Sequence, residues 1–218
     1  MDLAPNERLS IVRLRLERTK ELITEVINLH AQRLALLPSF DQYFEAPPSA
    51  PIFTFMMTIT QFEISHVCRL WDKPELSGFG LPSIAALLES PEVFEVIAKI
   101  AEGKTPESPE NPAKIERLRT AIEAINEAEN SEEIQRVRNH RNKFIAHPVV
   151  KTREERRRSY EIARTDDTEF LINTAIRAAS TLAWAESGEE LDYSLVQHQA
   201  RAEANDFFGK VVWPKPDH

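Results

Sequence analysis

The sequence predicts an all-α protein, a bundle of seven to eight helices. Apolar residues recur at three- and four-residue spacing along most of the chain, and β-branched alternation is scarce. Fourteen prolines against five glycines divide it into segments of helical length. Cap-forming residues followed by Pro, or by Glu three positions on, stand at several of the breaks. With 218 residues, 42% of them hydrophobic, the chain can bury one good core. We expect one helical domain over residues 1–218, with its core at about 6–208 and a tail at 209–218.

The first helix is expected from about Asn6 to Leu37, with Leu9, Val12, Leu16, Ile23, Ile27 and Leu34 on its apolar side and Pro38 as its stop. His30 falls beside these core positions, where a histidine is a satisfied structural group. Pro51 suits the first turn of a second helix reaching about Asp72. That helix is apolar around most of its circumference, as a central helix should be. Ser83 and Ser90 read as N-caps of two short helices ending near Gly103. A polar, proline-rich connection over 104–112 leads to a helix from Asn111 and Pro112 to about Asn130. Asn130 with Glu133 resembles a capping box for the next helix, which Pro148 ends. Asp166 with Glu169 opens an apolar helix to Ser187, and a last amphipathic helix runs from beyond Gly188 to about Phe208.

A net charge of −8 argues against a general nucleic-acid coat protein. The charge is segregated, however. Between Arg136 and Arg158 nine Lys or Arg face two acids, so this stretch is +7 and the remainder −15. Cys68 is the only cysteine, which leaves no intrachain disulfide and no thiolate metal cluster. It sits among apolar neighbours and reads as a buried small hydrophobe. The stretch from Pro51 to Ile64 is too short and too polar to span a bilayer, no apolar signal core opens the chain, and a reducing cytoplasm is the expected location.

Inside the basic stretch lies RNKFIAH, Arg141 to His147. Arginine grips phosphate through a planar fork of donors, and histidine moves protons near neutral pH. Together they are the minimum equipment for cutting RNA without a metal. On a uniform α-helical wheel with Ile134 at zero, Arg141 falls at roughly 340°, centred on the apolar stripe with Val137 and Ile145. A buried guanidinium there needs a carboxylate, a phosphate or a wet cleft. His147, in the last turn, is where helix carbonyls favour a protonated ring. The competing reading pairs Arg141 with an acid, Asp72 at the end of the second helix being the candidate.

This pattern resembles the HEPN superfamily, whose signature is an Arg, usually followed by Asn, Asp or His, then a His four to six residues past the Arg. Arg141, Asn142 and His147 fit it. Upstream, HVCRLWDKPELSGFGLPSIAALL from His66 to Leu88 is similar to the "RLxD … SL … LL" stretch of the abortive-infection AbiU-like branch. The resemblance spans about residues 50 to 150. It implies a HEPN-like helical bundle and a metal-independent endoribonuclease, often the toxin of a phage-defence or toxin–antitoxin pair. No cofactor is implied. It further implies RNA as substrate, a homodimer through the motif helix, an antitoxin protein as a further partner, and no membrane. In it His147 is the general base and acid, Arg141 stabilises the phosphate, and Asn142 orients the backbone or the histidine. Arg138, His140, Lys143, Lys151, Arg153 and Arg156 are the expected RNA contacts.

A different class remains open, a non-catalytic helical module that binds RNA or a protein partner, with Arg141 in an interface ion pair. A metalloenzyme fits poorly: His66 and Cys68, two apart on a helix, cannot face one metal, and no HExxH-type spacing exists. No glycine-rich phosphate loop is present, which removes a nucleotide triphosphatase.

Overall fold

A long first helix organises the structure, a computed structural model that describes residues 3–43, 50–75, 78–102, 111–146, 162–187 and 191–210. This helix, α1, spans Pro5–Tyr43 and buries Val12, Leu16, Ile23, Val26, Ile27, Ala31 and Leu36 along one stripe. Pro38 does not stop it. An interior proline removes one backbone hydrogen bond at a cost of about 3 kcal/mol, which a long packed helix tolerates. The others are α2 (Ala50–Leu70), α3 (Leu81–Leu88), α4 (Pro91–Glu102), α5 (Asn111–Glu129), α6 (Glu132–His140), α7 (Thr165–Ser187) and α8 (Tyr193–Gly209). A π-helical turn, Arg141–Ala146, continues α6 directly. The described residues thus form eight α-helices and this turn, with no strand, and the all-α expectation holds.

Helix α1 lies against α8, α2 and α7, while α5 pairs with α7, and α6 bridges α7 and α2. Trp71, Leu81, Ile84, Ile125, Ile134 and Leu171 close the centre with no exposed surface. Among the described residues no helix is long and apolar enough to cross a membrane.

Several helix starts differ from the sequence reading by one to three residues. Gly80, not Ser83, precedes α3, because Pro82 supplies a preset first turn. The Ser83 hydroxyl instead accepts the Glu75 N–H at 3.2 Å and holds the preceding loop. Ser131, not Asn130, caps α6 by accepting Ile134 N–H at 3.3 Å. Asn130 is spent closing α5, its amide donating to the Asn126 carbonyl at 2.7 Å. Asp166 lies within the first turn of α7, and Asp167 accepts the Arg164 N–H at 2.8 Å.

A buried ionic knot ties α1, α2 and α7. Glu63, 1% exposed, accepts from His30 Nδ1 at 2.9 Å and from Arg33 through Nε and Nη2. Arg33 also donates to the hydroxyls of Thr165 and Thr168, each at 3.0 Å. His30 is therefore the structural histidine expected. Burial pushes the Glu63 carboxyl up, but the His30 hydrogen bond and Arg33 outweigh it and hold the group below the ordinary carboxylate range.

Candidate functional site

The motif sits where α6 changes character. Glu132 and Glu133 complement the positive end of the helix, and Ile134 and Val137 anchor it with no exposed surface. From Arg141 to Ala146 the backbone is π-helical. Bonds from i to i+5 widen the coil, so each residue advances by less than an α-helical step. The uniform wheel fails from here on. Arg141 itself is still α-helical, its N–H bonded to the Val137 carbonyl, but at the end of the helix its side chain is 31% exposed. Single π turns recur at functional sites, since they re-aim side chains at the expense of regular bonding.

Three arginines within six residues have three different environments. Arg136 is 8% exposed and saturated: Nε meets both Asp167 oxygens at 3.2 and 3.1 Å, and Nη2 donates to Asp167 at 2.7 Å and Glu133 at 2.9 Å. Its Nη1 donates to Glu132 at 3.2 Å. Arg138 is turned inward too. Its Nη2 donates to the Trp71 carbonyl and to the Glu129 carboxylate at 2.9 and 2.7 Å, which occupies the group expected to contact RNA. Arg141 is the most exposed of the three, its side chain 31% against 11% for Arg138 and 10% for Arg136. Nη1 donates to Asp72 Oδ1 at 3.2 Å, and Nε and Nη2 both reach Asn142 Oδ1 at 3.2 Å. A guanidinium carries five N–H groups, so two have no partner among the described residues. Asn142, expected to orient the backbone or the histidine, is found on the arginine.

His140 packs its ring against Phe144, centroids 5.0 Å apart, and burial pulls it below the usual histidine range. Burial thus disfavours the charged ring at the position expected to contact RNA. Lys143 is half-buried in the π turn. His147, Lys151, Arg153 and Arg156 lie outside the described residues. Cys68 is fully buried next to this site, and burial pushes its thiol up to about 11, so it is no nucleophile.

On the other side of the Arg141–Asp72 pair an open groove of about 750 Å³ runs between α1 and the loop after α2. Glu17, Glu21, Glu25, Asp72 and Glu75 line it together with Arg18 and Arg69. Among the described residues no cluster of His, Cys, Asp and Glu could hold a metal ion.

Sequence reading identified Arg141 and weighed Asp72 as its partner, but missed Asp167 and Glu129. Both acids lie far from the arginines they neutralise or in another helix, and no local spacing announces them.

The family model described as AbiU2, a HEPN family, matches residues 15–207. No curated protein and no solved structure matches the chain.

Proposed function

Because the chain belongs to the HEPN AbiU2 family, an abortive-infection phage-defence family, we propose that it is a metal-independent endoribonuclease. The observation that carries this is the state of Arg141: about a third exposed, held from the side by Asn142, and with two N–H donors that have no partner among the described residues, whereas Arg136 and Arg138 are turned inward onto carboxylates of the fold. A guanidinium so held is prepared for a phosphate.

In this reading two protomers dimerise through the motif helix, the exposed ring of Phe144 adding apolar surface beside the π turn. One His147 removes the proton from a ribose 2′-hydroxyl, and that oxygen bonds to the adjacent phosphorus. The bond from phosphorus to the 5′-oxygen breaks, and the second His147 gives the departing oxygen a proton. Arg141 stabilises the charge that grows on the phosphoryl oxygens. Lys143, Lys151, Arg153 and Arg156 supply positive charge along the bound strand. The partners are RNA and, in a toxin–antitoxin arrangement, an antitoxin protein. Arg141→Ala and His147→Ala should each lower cleavage by at least about a hundredfold, and EDTA should do nothing. Full activity in either variant removes the mechanism.

The Asp72 contact favours a second reading, a non-catalytic HEPN module binding RNA or a protein. Purified protein mixed with total RNA separates the two: new ends mark the enzyme, and intact RNA held on the protein marks the module.

A further inference from the structure

Arg141 meets an anion of its own chain before it meets any ligand. Asp72 lies two residues past the end of α2, 49% exposed, and takes the Nη1–H on Oδ1. Among the described residues this carboxylate has no other hydrogen bond or ion pair. A carboxylate that aims an arginine is normally itself held. Asp167 is such a group, fixed by the Arg164 N–H while it grips Arg136. Asp72 has no comparable anchor, and Asn142 already fixes two donors of Arg141. What Asp72 adds is therefore little aim and one negative charge, set where a phosphate must arrive.

We infer that Asp72 is a displaceable counter-ion, occupying the Arg141 guanidinium in the ligand-free protein and giving way when an RNA phosphate binds there. The inference rests on reading Arg141 as the phosphate-binding group. The exchange trades one anion for another, so the guanidinium never stands bare. The groove beside Asp72 gives the released side chain solvated space to turn into. An anion must outcompete a single-point carboxylate contact to enter, which a phosphate accepting two parallel N–H bonds can do.

The test uses the full chain and a short fluorescein-labelled 2′-O-methyl oligoribonucleotide, which lacks the attacking hydroxyl and stays uncut. Affinity is read by anisotropy at one fixed salt concentration. Asp72→Asn should bind about two- to fivefold tighter, the range of an exposed ion pair that no longer has to be broken. Asp72→Ser should match it, and Asp72→Glu should resemble the wild type. In an Arg141→Ala background Asp72→Asn should change nothing. If Arg141→Ala weakens binding but Asp72→Asn is neutral or weaker, the counter-ion idea is wrong and the phosphate reading stands. Tightening that persists without Arg141 also overturns it, because the charge then acts through the general field. If Arg141→Ala leaves affinity unchanged, the phosphate reading falls and the inference falls with it.

Discussion

Arg136→Ala should destabilise the fold by about 3 kcal/mol, while Arg141→Ala should cost less than about 1 kcal/mol. The two arginines are five residues apart and chemically identical, so the difference comes from their surroundings. Removing Arg136 strands Asp167, 3% exposed, without the guanidinium that neutralises it through three contacts. Breaking a buried pair by deleting one partner costs roughly 3–5 kcal/mol. The low end applies, since Glu132 on the same guanidinium is 89% exposed and Asp167 keeps the Arg164 N–H. In a chain of this size about 3 kcal/mol lowers the melting temperature by roughly 6–12 °C. Arg141 instead gives up one half-exposed contact and a bond to its neighbour. Urea titration followed by circular dichroism at neutral pH measures both. Arg136→Ala within about 1 kcal/mol of the wild type, or Arg141→Ala as destabilising as Arg136→Ala, would refute the division into one structural and one functional arginine.

Three further outcomes follow from the same contacts. Glu63 and Asp167 are both held below the ordinary carboxylate range, burial opposing the shift in each case while hydrogen bonds from His30 and Arg33, or from Arg136 and the Arg164 N–H, outweigh it. Unfolded, they titrate near about 4, so their contribution is complete above that pH and lost as pH falls through the lower folded values. The urea midpoint should be level from pH 7 to 5 and drop below about pH 4, with a shallower drop in Glu63→Gln; a flat profile to pH 3 contradicts this. Gly80→Ala should cost about 1–3 kcal/mol, because its Cβ would sit 2.9 Å from the Leu70 carbonyl and 3.1 Å from that of Arg69, both backbone atoms; a wild-type melting temperature would show that the α2–α3 approach is looser than described. Cys68 should resist iodoacetamide at pH 8 in the native protein and react once urea exposes it, so rapid labelling of the folded chain is the opposing result.

Much of the fold was legible because apolar periodicity survives tertiary packing. The stripe on α1 and the start of α5 at Asn111 needed nothing beyond local pattern, whereas α2 is not the central helix its apolar circumference suggested, since Phe53, Phe55, Met57 and Phe62 are exposed. Caps were displaced by a residue wherever two polar side chains competed, as Asn130 and Ser131 do. The π turn was invisible because a wheel assumes one constant step, and positions after Arg141 are misplaced on it. Arg136 entered the sequence reading only as one charge of the basic stretch. It is buried because α7 brings Asp167 over it from 31 positions away, a contact no local spacing encodes. For the same reason Glu63 looked merely polar, although it holds Arg33, which reaches on to α7.

The most direct measurement is the chemistry of the RNA ends left by the purified protein in EDTA, read by mass spectrometry of a defined oligonucleotide pool. Attack by the neighbouring 2′-hydroxyl, assisted by His147 and Arg141, predicts 2′,3′-cyclic phosphate and 5′-hydroxyl termini that vanish in Arg141→Ala. Ends carrying a 5′-phosphate, or cleavage that stops when the divalent ions are chelated, would contradict it.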